Sequence, residues 1–94
     1  MTGKQTVKLD NVEKMAETYF VLSSPVRLKI LEICQHSPTT IKRLIQMLDR
    51  NSSAVGAHIK LLHQTGMIEK IRNKDNSVTV RSLVEIDEKG RVKL

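Results

Sequence analysis

The spacing of apolar residues changes once along this chain, at Gly66, and that change limits the folds open to it. Before Gly66, apolar side chains recur every three or four residues, which puts them on one face of a helix. After it, Met67 to Arg72 and Val78 to Leu83 alternate apolar with polar residues, the period of a half-buried strand. A chain of 94 residues is too short for two independent cores. Helices and strands must therefore share one core, and the expected fold class is mostly α with a small β-hairpin.

Capping chemistry places the boundaries. Residues 1–9 are polar and basic, without periodicity, and read as a flexible N-terminal arm ahead of a single domain over 10–94. Asp10 with Glu13 three residues on resembles a capping box, and Val12, Met15, Ala16, Tyr19 and Leu22 follow at helical spacing. Ser24-Pro25 starts a second helix, since serine caps free amides and proline suits the first helical position. That helix carries Val26, Ile30, Ile33 and Cys34 and stops at Ser37, before Pro38. Thr39-Thr40 opens a third helix with Ile41, Leu44, Ile45 and Leu48 on one stripe. Asn51-Ser52-Ser53 opens a fourth, over about 51–64, with Val55, Ile59 and Leu62 facing inward and Gly66 as its stop. Asn73 to Ser77 is turn material inside a hairpin over about 67–83, and residues 84–94 suggest a second small hairpin or an extended tail.

Charge points to the partner. The net charge is +6, and residues 41–81 alone hold eight bases against three acids. A basic middle on a nearly neutral frame suits a polyanion. The two aromatics, Tyr19 and Phe20, both precede the basic segment. No base-stacking platform is interleaved with it, so double-stranded DNA is favoured over single strands. Catalysis is not expected. The four glycines lie too far apart for a phosphate-binding loop, and no nucleophile, base or carboxylate pair converges. No apolar run approaches a membrane span, and the single Cys34 cannot form an internal disulfide, which fits a cytoplasmic protein acting on the nucleoid. Cys34, on the apolar stripe, reads as a buried inert thiol. His58 and His63 are five residues apart, the wrong spacing for a helical zinc pair, so neither metal nor cofactor is expected.

Four short helices followed by a basic hairpin have the layout of a winged helix-turn-helix. Leu22-Ser23-Ser24-Pro25-Val26-Arg27-Leu28-Lys29-Ile30-Leu31, the stretch Asn51 to Leu62 with its Ser53-Ala54-Val55-Gly56-Ala57-His58-Ile59-Lys60 core, and Thr65-Gly66-Met67-Ile68 occur in that order. Together they resemble the ArsR-type family of winged-helix repressors over about residues 20–83. The resemblance implies a transcription regulator, repressor-like, whose fourth helix enters the major groove while the hairpin, as a wing, rests on the backbone. It also implies homodimerisation through the first helix, for which Met15, Tyr19 and Phe20 are the candidate residues; adjacent Tyr19 and Phe20, about 100° apart on a helix, ask for a second apolar surface. The family's cysteine box is missing, since Thr40 to Leu44 holds no thiol.

The candidate DNA-binding residues are Thr40, Lys42, Arg43, Asn51, Ser52, Ser53, Ala54, Gly56, Ala57, His58, Lys60, Arg72 and Lys74. His58 matches the family's recognition-helix histidine and reads equally as a phosphate contact or as a half-buried packing residue. Arg27 and Lys29 read as a solvated face of the second helix. The groove-facing set offers small side chains without the bidentate reach of Arg, Asn or Gln, so weak sequence reading is expected. The alternative is a winged-helix module that binds another protein or serves as a subunit of transcription machinery.

Overall fold

A computed structural model describes residues 9–93, with side chains described from residue 12. Helices α1 (Leu9–Leu22) and α2 (Pro25–His36) are followed by strand β1 (Thr39–Thr40), helices α3 (Ile41–Leu48) and α4 (Ser52–Gln64), and strands β2 (Ile68–Arg72), β3 (Val78–Ser82), β4 (Glu85–Ile86) and β5 (Val92–Lys93). The expected arm lies outside the described residues except for Leu9, which is already helical. Asp10 is therefore within α1 rather than at its cap, a correction to the capping-box reading.

The other helix starts are built by the expected side chains. Ser24 Oγ accepts from the Arg27 amide at 3.2 Å, with Pro25 at the first helical position. Thr40 Oγ1 accepts from the Arg43 amide at 3.2 Å, and Asn51 Oδ1 accepts from the Ala54 amide at 2.8 Å. Each satisfies one of the donors a helix start leaves unpaired. Asp49 closes α3 in the left-handed region, at φ 51°, where aspartate is better tolerated than most residues. At the end of α4 the Met67 amide donates to the Leu62 carbonyl at 2.9 Å and the Gly66 amide to the His63 carbonyl at 3.1 Å. This pair of bonds is a Schellman motif, and Gly66 holds its required positive φ, 76°. Met67 is buried, so the motif also sets the direction in which the wing leaves the helix.

The wing is the β2–β3 pair, in register from Ile68 opposite Ser82 to Arg72 opposite Val78. Its turn is braced from within. Asp75 Oδ1 accepts from the Ser77 amide at 3.0 Å and the Ser77 hydroxyl at 2.6 Å, while Asn73 Nδ2 donates to Ser77 Oγ and Thr79 Oγ1. Strand β1 adds to the other edge of β3, pairing Thr39 with Val80 and Thr40 with Thr79, so the sheet order is β1-β3-β2. The sequence reading had no strand there, because two residues carry no period. The second hairpin is real: Glu85 pairs with Lys93 and Ile86 with Val92. It is fixed to α2 by Gln35, whose amide both donates to the Ile86 carbonyl at 3.0 Å and accepts from its N–H at 2.7 Å, as a neighbouring strand would.

One core joins these parts: Val21 of α1, Ile30, Leu31 and Cys34 of α2, Leu44 of α3, Val55, Ile59 and Leu62 of α4, and Met67, Ile68, Val80 and Val84. One expectation is corrected here. Arg27 is not on a solvated face but is 8% exposed, the one polar or charged residue among the described ones that the fold buries. On α1, Val12, Met15, Tyr19 and Phe20 face outward, while Leu22 packs against the core.

Cys34 lies in the core, and burial pushes its thiol up to about 11, partly offset by a hydrogen bond involving the Thr39 backbone. Alkylation of the native protein near neutral pH is expected to run about a hundredfold slower than alkylation in urea, in proportion to the lost thiolate; equal rates would place Cys34 outside the core. Two glycines should respond oppositely to alanine. A Cβ at Gly66 or Gly56 meets no atom within 4 Å, so only backbone conformation decides. Gly66→Ala is expected to lower the unfolding free energy by about 1 kcal/mol, and Gly56→Ala, inside α4, to raise it by up to about 1 kcal/mol. Urea unfolding midpoints measure both.

Candidate nucleic-acid interface

Helix α4 divides cleanly by exposure. Val55, Ile59 and Leu62 are buried, while Ser52, Ser53, Gly56, Ala57 and Lys60 lie together on the exposed face. Ala54 and His58 lie between these faces, half-buried. The exposed face begins with small side chains, so a partner surface can approach the helix backbone closely. Gly56 extends this relief, and nothing inside the molecule requires a glycine there. The Ser52 and Ser53 amides, in the first turn, are among the donors that no helix satisfies internally. They carry the positive end of the helix dipole toward whatever lies in front of α4.

Two candidates prove to have structural duties. Thr40 and Asn51 turn their side-chain oxygens into the caps of α3 and α4. Each fixes the start of its own helix instead of offering that oxygen to a partner. His58 also turns inward: its Nδ1 lies 3.2 Å from a terminal guanidinium nitrogen of Arg27.

The cations divide in a similar way. Among the described residues the ion pairs are Lys29 with Glu32, Arg81 with Glu69, and Arg91 with Asp87. None of these takes Lys42 or Arg43 at the start of α3, Lys60 on α4, or Arg72 and Lys74 on the wing, and all five are exposed. Arg50, in the α3–α4 turn, and Lys70, on β2, are exposed and outside those ion pairs as well; the sequence reading passed over both. Lys70 and Arg72 line, with His63 and Val78, a small cleft of about 240 Å³ between the end of α4 and the wing. Strand alternation could have flagged Lys70 with Arg72, since residues two apart share a face. Nothing local could have brought His63 to them.

The remainder of the surface offers less chemistry. A cleft of about 600 Å³ between α2 and the β4–β5 loop carries Glu32, Glu85, Asp87 and Glu88 beside Lys89, Arg91 and Lys93, a mixture that gives no net attraction for an anion. Among the described residues, no three His, Cys, Asp or Glu side chains are grouped to hold a metal ion. No described helix is long and apolar enough to cross a membrane. The exposed apolar face of α1, formed by Val12, Met15, Tyr19 and Phe20, is a separate surface with its own need for a cover.

Comparison with known proteins agrees with this geometry. A family model described as "Bacterial regulatory protein, arsR family" matches residues 24–70, from the cap of α2 into the wing. An uncharacterized HTH-type transcriptional regulator from Methanocaldococcus jannaschii is 36% identical over 63 residues, 67% of this chain, and the chain spans 63% of the length of that relative. The fold is shared with a homodimeric winged helix-turn-helix DNA-binding domain from Mycobacterium bovis, at TM-score 0.75 and 20% identity over 87% of this chain and 75% of that one. NolR from Sinorhizobium fredii superposes at TM-score 0.75 and 18% identity, over 85% and 82% of the two chains. HlyU from Vibrio cholerae does so at 0.69 and 19%, over 77% of each.

Proposed function

Because this chain belongs to the arsR family of bacterial regulatory proteins, we propose that it regulates transcription by binding double-stranded DNA as a homodimer, in the cytoplasm at the nucleoid. The observation that carries this reading is that seven exposed cations, all outside the ion pairs, gather on neighbouring elements. Lys42, Arg43, Arg50, Lys60, Lys70, Arg72 and Lys74 occupy α3, α4, the turn between them and the wing. Each is free to neutralise a phosphate, and counterion release makes such contacts the main source of affinity. Ser52, Ser53, Ala54, Gly56 and Ala57 meet the groove, with Ala54 at the margin. Thr40 and Asn51 serve the interface through the caps they build.

The dimer is formed by the outward face of α1. Covering Val12, Met15, Tyr19 and Phe20 with the same face of a second copy removes a large apolar surface from water. Two recognition helices then sit about 34 Å apart, one turn of duplex. Affinity is expected from phosphate contacts and duplex shape more than from base edges, because serine and alanine discriminate bases poorly.

Titrating a fluorescent random-sequence duplex at several salt concentrations tests this. Arg72→Ala and Lys74→Ala should each reduce the salt slope by about 1, or by about 2 when both subunits lose a contact. An unchanged slope in the double variant excludes the wing, and no binding even at low salt favours a protein-binding module instead. In competition, the best selected site should exceed random duplex by roughly a thousandfold or less; a ratio near a millionfold would mean that base edges are read. Met15→Ala with Tyr19→Ala should give monomers in sedimentation and weaker duplex binding. A wild-type protein that is monomeric at tens of micromolar sinks the dimer.

A further inference from the structure

Arg27 carries a charge into the interior, and a buried guanidinium needs partners for its donors. Three of its five N–H groups find partners, on two other helices. Arg27 Nε donates to the Val21 carbonyl at 2.6 Å and one terminal nitrogen donates to the Phe20 carbonyl at 3.0 Å. Both carbonyls belong to the last turn of α1, at the negative end of its dipole, and the Phe20 carbonyl also accepts from the Ser23 amide and hydroxyl. The Phe20 ring lies beside the same group, 5.3 Å from guanidinium carbon to centroid. The other terminal nitrogen reaches His58 Nδ1 on α4 at 3.2 Å. One side chain of α2 therefore holds the end of α1 and the middle of the recognition helix at once.

The contact fixes the state of the imidazole. A guanidinium only donates, so Nδ1 must present its lone pair and the ring must be neutral with its proton on Nε2. Burial, then the positive charges of Arg27 and Arg50, hold His58 below the ordinary histidine range. Those two arginines, from α2 and from the α3–α4 turn, are the charged groups that act on it; α1 contributes the Phe20 ring and carbonyl to the shared guanidinium. Protonation would set two cations against each other. The sign follows: the folded state prefers the neutral ring, so this contribution is complete above the ordinary histidine pKa. It is lost as pH falls through the lower folded value.

We propose that Arg27 is a positioning residue for duplex binding, tying the recognition helix to the end of α1 through neutral His58, so that protonating His58 frees the recognition helix and weakens DNA binding. This rests on the duplex-binding reading above. Its sign is opposite to simple electrostatics, in which a new positive charge on a DNA-facing helix strengthens binding. It also makes dimer packing on α1 and the setting of α4 parts of one equilibrium.

The test compares the full chain with His58→Gln, whose amide oxygen still accepts from Arg27 and does not titrate. Duplex affinity is measured at fixed salt from about pH 7.5 to about pH 5.5. His36 and His63 are present in both proteins, so their titration cancels in the ratio. Wild-type affinity relative to His58→Gln is expected to fall about twofold to fivefold across this range, with most of the loss at its acid end because His58 is held below the ordinary histidine range. A constant ratio, or a wild type that gains on the variant as pH falls, overturns the proposal; the gain is what a phosphate-contacting histidine would give. Arg27→Lys, which replaces the fork by one ammonium, should abolish the difference between the two pH profiles.

A measurement without DNA separates this inference from the reading beneath it. The resonance of the Arg27 terminal N–H group that faces His58 should be slow to exchange while His58 is neutral and should weaken with His58 protonation in wild type, but persist in His58→Gln. If that response is seen and no duplex is bound at any pH, the DNA reading fails and the proposed consequence falls with it. If duplex binds and the Arg27 signal ignores His58, the coupling itself is refuted.

Discussion

Helix α2 gives Ile30, Leu31 and Cys34 to a core that Val55, Ile59 and Leu62 of α4 and Val80 of β3 complete. That packing holds both halves of the molecule, because α4 and β3 are the elements from which the recognition surface and the wing are presented. Core side chains of this kind interdigitate in few arrangements, so the angle of α4 is set by volume and shape. The exposed face of α4 is free of that duty. It can therefore carry small residues suited to another surface.

The polar side chains divide by location. Thr40, Asn51, Asn73 and Asp75 spend their hydrogen bonds locally, on helix starts and on the wing turn. They leave a rigid frame, on which Lys42, Arg43, Lys60, Arg72 and Lys74 are displayed outside the ion pairs. Glu69 neutralises Arg81 on the wing, while Arg72 and Lys74 near its tip lie outside such pairs. A frame of this kind presents charge at fixed spacing, which is what binding to a regular polyanion requires.

Arg27 stands apart from both groups. A buried charge is a weak source of net stability, because desolvation offsets most of what its partners return. Its value here is geometric. A planar fork of donors defines the relation between three helices more narrowly than apolar contact does, and it does so at the junction between the apolar face of α1 and the recognition helix.

Much of this architecture is legible in the sequence because it depends on neighbours. Ser24, Thr40 and Asn51 act within three residues, Gly66 ends α4 through its own φ, and the Asn73 to Ser77 turn closes on itself; each is a local signal that survives any tertiary arrangement. The change of apolar period at Gly66 likewise marks where helix gives way to strand. Three features depended on the folded whole. Two-residue β1 exists only because β3 offers its edge. Arg27 looks like a surface residue by spacing, and is buried only because the turn at Ser23 returns the carbonyls of Phe20 and Val21 to it. The apolar stripe of α1 predicts a helix, yet which side it shows to the core is decided by α2, which takes Val21 and leaves Tyr19 and Phe20 outside. Periodicity specifies that a face is apolar; only packing decides what covers it.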